Sequence, residues 1–206
     1  MRTVLVVAAE SFEVKWITSR ENLTFVKMAG GAGPALAAAA FKRAVGRFDA
    51  VVSAGLCGAL DPALRVGDIF VADSVNRDAV QVPNCRTCET GPLASVDRVL
   101  GTADERRQMF REGFRAVEME AAAVVREARE LGLPCYCVKA VSDTADEEFK
   151  VDLNAARDES GRILVSRILF QAARRPVAIV PELLRLRQNA MTAARALGAF
   201  IATCNF

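Results

Sequence analysis

The sequence predicts an α/β layer fold, mainly parallel, in one domain spanning 1–206. Three observations lead there. Short apolar runs rich in Val, Leu and Ala recur along the chain, as in strands buried on both faces. Stretches of helical composition separate them, the alternation of a sheet covered by helices. Hydrophobic residues make up 52% and charged residues 25%, enough to build a sizeable core, and no repeat, low-complexity tract or linker divides the chain.

The elements follow in order. Residues 3–9 (TVLVVAA) read as a first buried strand and 23–29 (LTFVKMA) as a second. Gly30, Gly31 and Gly33 form a turn, Pro34 suits a first helical position, and an Ala-rich helix follows. Residues 50–54 are a buried strand running into a Gly-rich loop, Gly55 to Gly58, and 67–75 a strand with one exposed face. Residues 76–91 read as a surface loop, 92–97 as a short strand, and 103–112 as a polar helix. Residues 115–118 feed a helix over about 119–131, closed by Gly132, and 134–142 form another buried strand ending at Asp143. The remainder reads as two helices, at about 151–173 and 180–202, with Pro176 and Pro181 breaking between them. Leu183, Leu186, Ala190, Ala194, Leu197 and Ile201 share one stripe of the last helix.

Composition narrows the chemistry. The chain has 27 basic and 25 acidic residues, a net charge of +2, and no long basic run, so nucleic acid is not an expected partner. No apolar stretch reaches the roughly 20 residues of a membrane span. Glu10 and Glu13 interrupt the apolar start, unlike a secretory leader, and a cytoplasmic location is expected. There is no His, which leaves acid–base chemistry to Asp, Glu, Lys, Cys or the single Tyr136. The six Cys are expected to be small buried residues. Cys85 and Cys88 form one CxxC without a second; zinc or redox chemistry is the lesser reading beside a plain loop.

Ligands of α/β sheets sit at the carboxyl ends of strands. Four segments qualify: Glu10 to Glu13, Gly55 to Gly58, Val117 to Glu120, and Ser142-Asp143. A carboxylate at a strand-to-helix junction, as at Glu118 or Glu120, can accept hydrogen bonds from a vicinal diol or simply cap the helix. Asp143, ending an apolar strand, suits a desolvated proton donor, although taken alone the residue reads first as an ordinary N-cap. The Gly30–Gly33 turn lacks both dinucleotide and P-loop spacing and reads as packing.

In order along the chain, VVAAESFEV, GGAGPALAAAA, VVSAGLCGALDPALRVGDIFVADSV, SVDRVL, AVEMEAAAV and VKAVSDTAD resemble the nucleoside phosphorylase family, which includes methylthioadenosine/adenosylhomocysteine nucleosidases. AAE, VDRVLGTADERR and the tail RPVAIVPELLRLRQNAMTAARAL further resemble a hopanoid-associated branch whose substrate is adenosylhopane. The resemblance implies a three-layer sandwich around a central mixed, mainly parallel sheet. It implies hydrolysis of the N-glycosidic bond of an adenosine-type nucleoside with a 5′ substituent, no cofactor and no metal, and a homodimer. Carried over by position, Asp143 acts on purine N7, Glu120 holds the ribose hydroxyls beside Met119 and Glu118, and Cys57 and Gly58 line the sugar pocket. Val99 and Leu100 face the base, and Ser142 and Lys139 complete the substrate-binding set.

Five positions depart from the family pattern. Ser53 and Leu56 stand where phosphorylases carry the Arg and Ser of a phosphate site, which favours water over phosphate as nucleophile. Lys139 replaces an Arg, and Val99 an aromatic that stacks on the base. Ungapped alignment sets Phe12 at the family's water-activating Glu, leaving Glu10 and Glu13 as the candidates. The alternatives are phosphorolysis with phosphate held by Lys139 or another cation, and a nucleoside-binding member without turnover.

Overall fold

The computed structural model describes residues 1–44, 46–85, 88–158 and 162–206, so Arg86 and Thr87, inside the CxxC segment, lie outside the described residues. The buried runs are strands: β1 (Arg2–Ala8), β2 (Leu23–Ala29), β3 (Ala50–Ala59), β4 (Ile69–Val75), β5 (Asp78–Ala79), β6 (Glu89–Ser95), β7 (Ala116–Glu118) and β8 (Cys135–Asp143). The helices are α1 (Pro34–Arg43), α2 (Ala103–Arg111), α3 (Ala121–Glu130), α4 (Val165–Arg174) and α5 (Pro176–Ile201). Among the described residues, no helix is long and apolar enough to cross a membrane.

The sheet is mixed and mainly parallel. β1 pairs β2 and β3, β3 pairs β8, β4 pairs β6, and β6 pairs β7, all in parallel. β3–β7, β4–β5 and β4–β8 are antiparallel. β3, β8, β4, β6 and β7 pair in a closed circuit, with β3 reaching β8 along most of its length and β7 only at Gly58 and Ala59. α1 and α3 cover one face through Ala37, Ala40, Phe41, Val124 and Ala128, and the C-terminal half of α5 covers the other through Ala193, Leu197 and Ile201. Three layers result, as the resemblance implied.

The structure revises several elements. Gly55 to Gly58 is not a loop but the continuation of β3, with a register shift between Cys57 and Gly58 and Gly55 at φ 148. Residues 116–118 are a strand, and short strands sit within the expected loop 76–91. The expected helix over 151–173 begins only at Val165. Before it, Asn154 bonds both backbone groups of Val99 and Gln171 bonds both backbone groups of Asp152, so partners remote in sequence fix this stretch. Pro176 starts α5 and Pro181 lies inside it instead of ending a helix. The carbonyl that Pro181 leaves without an N–H belongs to Val177, which is exposed to water. The apolar last helix is covered by its own chain over its C-terminal half, where Ala193, Ala194, Leu197 and Ile201 are fully buried.

Candidate active site

The carboxyl ends of β1, β3, β7 and β8 open into a cavity of about 470 Å³. Glu10, Glu13, Cys57, Gly58, Glu118, Met119, Glu120, Ser142 and Asp143 all line it, so segments far apart in sequence meet there. Val99 and Leu100 form part of the wall, their loop pinned by Asn154, whose side chain accepts the Val99 N–H at 2.9 Å and donates to its carbonyl at 2.8 Å.

Glu13 and Glu10 have different fates. Glu13 is buried, and one of its oxygens accepts the Glu10 N–H at 2.9 Å. Burial pushes its carboxyl up to about 7, against the pull of the Glu10 and Leu56 backbone and the Lys139 charge. The Glu10 side chain is exposed, and it is the residue's backbone N–H that makes this hydrogen bond. Gly55 leaves the room that Glu13 occupies: a Cβ there would lie 3.3 Å from the Glu13 Oε2.

Glu120 is also buried, accepting the Gly33 N–H at 2.6 Å at the start of α1. Burial first, and then the neighbouring Glu118 charge, push it up to about 8. Glu118 is differently employed. It accepts the Glu120 and Ala121 N–H groups, capping α3, and pairs with Lys139 at 2.8 Å. Burial alone would raise the Glu118 carboxyl, but Lys139 and these hydrogen bonds hold it below its ordinary value. Burial opposes the Lys139 charge in turn, and Glu118 and Glu120 outweigh it, so the pair is ionised. Lys139 also donates to Ser53 Oγ at 3.1 Å and is not part of the cavity wall. That corrects its expected place among the substrate-binding side chains: its ammonium is already used within the core.

Asp143 pairs with Arg106 at 2.5 Å and accepts the Ser142 hydroxyl at 2.7 Å. A charged partner, and not desolvation by apolar neighbours alone, therefore defines its surroundings. Arg106 is 2% exposed and also donates to the Thr144 and Leu100 carbonyls, which fixes its guanidinium. It lies 5.1 Å from the centre of the Phe149 ring, which lines the cavity. Arg106 and Phe149 escaped the sequence reading because each sits in a charged, helix-like or loop-like stretch. Their signals, burial for Arg106 and a place on the cavity wall for Phe149, are tertiary. Cys57 lines the cavity as a neutral thiol, its pKa raised chiefly by burial.

Beyond the carboxylates, the wall is apolar, with Leu56, Leu153, Ile163, Ile168, Leu183 and Leu186. Cys85 and Cys88 lie elsewhere, with sulfurs 3.7 Å apart, and among the described residues no group of side chains is arranged to hold a metal ion.

Sequence comparison matches residues 19–84 and 78–172 to the family described as the phosphorylase superfamily, well over half the chain. The chain belongs to the phosphorylase superfamily. Among individual relatives of this superfamily member, the 5′-methylthioadenosine/S-adenosylhomocysteine nucleosidase of Staphylococcus aureus (strain bovine RF122 / ET3-1) is 29% identical over 142 residues, 52% of this chain and 62% of that protein. The chain thus spans 62% of the length of the curated relatives it matches. Among solved structures, the Helicobacter pylori 5′-methylthioadenosine/S-adenosyl homocysteine nucleosidase, complexed with a substituted pyrrolidin-3-ol, superposes with a TM-score of 0.65 at 16% identity, covering 97% of this chain and 96% of that one. The H. pylori futalosine hydrolase also gives 0.65 at 16% identity, covering 97% and 95%. The Streptococcus pneumoniae nucleosidase with the transition-state inhibitor MT-ImmA gives 0.63 at 17% identity, covering 98% and 99%. At these identities the solved structures establish the shared fold.

Proposed function

We propose that this superfamily member is a purine nucleosidase that hydrolyses the N-glycosidic bond of an adenosine-type nucleoside carrying a 5′ substituent. The observation that carries the reading is the convergence of Glu13, Glu120 and Asp143 on one cavity, with Glu13 raised to about 7.

The roles follow from the chemistry. The C1′–N9 bond breaks with its electron pair going to the purine, and an oxocarbenium-like sugar remains. Asp143, once it has taken up a proton from solvent with the nucleoside bound, delivers it to N7, a step typically worth ~10²–10⁴ in rate. Arg106 then faces the carboxylate left behind, which favours the transfer. Glu120 accepts hydrogen bonds from the ribose diol through its carboxyl oxygens. Glu13, poised near neutrality, takes a proton from the water whose oxygen bonds to C1′. This assigns water activation to Glu13 over Glu10.

Water over phosphate is supported by the state of the cations. Lys139 is bound to Glu118 and Ser53, and Arg106, on the wall, is bound to Asp143. The apolar wall formed by Ile163, Ile168, Leu183 and Leu186 favours a hydrocarbon-like group on the 5′ carbon, such as the hopanyl group of adenosylhopane.

The test is chromatography of purified protein with methylthioadenosine, adenosylhomocysteine, adenosine, inosine and an adenosylated lipid, each with and without phosphate. Free base released without phosphate is the expected result. Release only with phosphate establishes phosphorolysis. No release from any substrate, with Asp143→Asn binding nucleosides as the wild type does, leaves a binding protein.

A further inference from the structure

The helix pair α4–α5 carries more apolar surface than the chain covers. On α4, Val165, Ile168, Leu169 and Ala172 form one stripe. Ile168 and Ala172 pack with Ile179 of α5, while Val165 and Leu169 remain 67% and 62% exposed. The first half of α5 is apolar on two sides. Ile179, Leu183 and Leu186 face inward, and Val177, Val180 and Leu184, at i, i+3 and i+7, share an exposed side. Phe170 is 61% exposed, with the Arg174 guanidinium 5.1 Å from its ring centre.

Charge is segregated onto the same segment. Residues 162–187 contain six Arg and one acid, Glu182, a net +5, while the whole chain carries only +2. Glu182 is buried and holds the Lys150 and Val151 N–H groups, and Arg185 pairs with Glu147 of the neighbouring loop, so the basic surface of the segment is carried by the other five arginines. The segment also borders the cavity: Ile163 lines it and is 45% exposed, so the cavity opens here.

We propose that α4–α5 docks onto an anionic lipid bilayer and holds the cavity opening at the boundary between headgroups and acyl chains. Apolar side chains beside a strongly basic face are the pattern of a helix that lies in the interface plane. Each arginine near an anionic surface adds about fivefold in binding at low salt. The competing occupant is a second copy of this chain. A two-fold contact through this face would set like charge against like charge, whereas anionic headgroups complement it. Docking gives a bilayer-resident nucleoside a path into the cavity without crossing water. What the bilayer would supply rests on the apolar 5′ group read above; the docking itself is read without substrate.

The experiment is co-sedimentation of the full chain with vesicles of phosphatidylcholine alone and of phosphatidylcholine with one-third phosphatidylglycerol. Binding to the anionic vesicles only, weakened by high salt, is expected. Arg174→Glu/Arg175→Glu and Leu169→Ser/Phe170→Ser/Leu184→Ser should each lower it at least tenfold, with unchanged melting profiles and unchanged turnover of soluble methylthioadenosine. These five side chains lie outside the cavity wall. Absence of wild-type binding, or equal binding by both variants, overturns the proposal. So does a wild-type dimer by light scattering that the serine variant converts to monomer with no vesicle binding in either. Vesicle binding without turnover of any nucleoside removes the nucleosidase reading and leaves the docking surface standing.

Discussion

Arg106 and Asp143 form an ion pair at 2.5 Å on the cavity wall, joining the start of α2 to the end of β8. Because the Arg106 guanidinium also holds the Leu100 and Thr144 carbonyls, its position is set by the fold and it positions Asp143 in turn. Arg106→Gln should lower kcat about 10²-fold with a smaller change in KM, since the interaction strengthens as Asp143 gives up its proton. Asp143→Asn should lower kcat by ~10²–10⁴. The double variant should be little worse than Asp143→Asn alone, the coupling expected of residues acting as one unit. Additive losses in steady-state kinetics would separate the two residues.

Glu13 ties activity and stability to pH in opposite directions. Its folded value of about 7 lies above the ordinary 4.5, so between these values the folded state binds a proton that the unfolded chain has released. Stability therefore falls as pH rises through that window, by on the order of 3 kcal/mol for this group. Glu120, raised to about 8, acts in the same sense. Glu13→Gln should flatten the decline between pH 5 and 8 in urea denaturation. In the same variant the rise of kcat/KM through about pH 7 should disappear together with most of the rate. A wild-type rate independent of pH from 5 to 8 would remove Glu13 as the base.

Gly58 is required by the ion pair. A Cβ at this position would lie 2.6 Å from Asp143 Oδ2 and 3.1 Å from Arg106 Nη1. Gly58→Ala must displace one of them, so activity should fall at least tenfold with a modest change in melting temperature. Gly55→Ala has a second penalty, because φ 148 strains any L side chain beside the Glu13 carboxylate. It should cost stability as well as rate. Kinetics and calorimetry of the two variants distinguish these effects.

The sheet was legible because β1, β3 and β8 are buried on both faces and so appear as unbroken apolar runs. The carboxylates Glu120 and Asp143 were legible because they stand where strands end. Residues 151–158 were not, since their conformation is set by remote partners, Asn154 on Val99 and Gln171 on Asp152, that composition does not reveal. The choice between Glu10 and Glu13 was also hidden. They are three residues apart in one turn, and only the packing against Gly55 buries one and leaves the other in water. Lys139 looked available for an anion because its partners, Ser53 and Glu118, are remote in sequence.

The Glu118–Lys139 pair decides how the site responds to phosphate. Both side chains are 1% exposed, and Glu118 also caps α3, so losing either leaves an uncompensated buried charge. Lys139→Met should cost about 3–5 kcal/mol, and Glu118→Gln a similar amount. Lys139→Met/Glu118→Gln should recover part of the loss, because no buried charge is then unpaired. The ammonium is buried and already bound to Glu118 and Ser53, so adding phosphate should neither stabilise the wild type nor raise its turnover. Thermal shifts and base release measured across a phosphate titration check both; a phosphate-dependent rise lost in Lys139→Met would make this lysine the anion site after all.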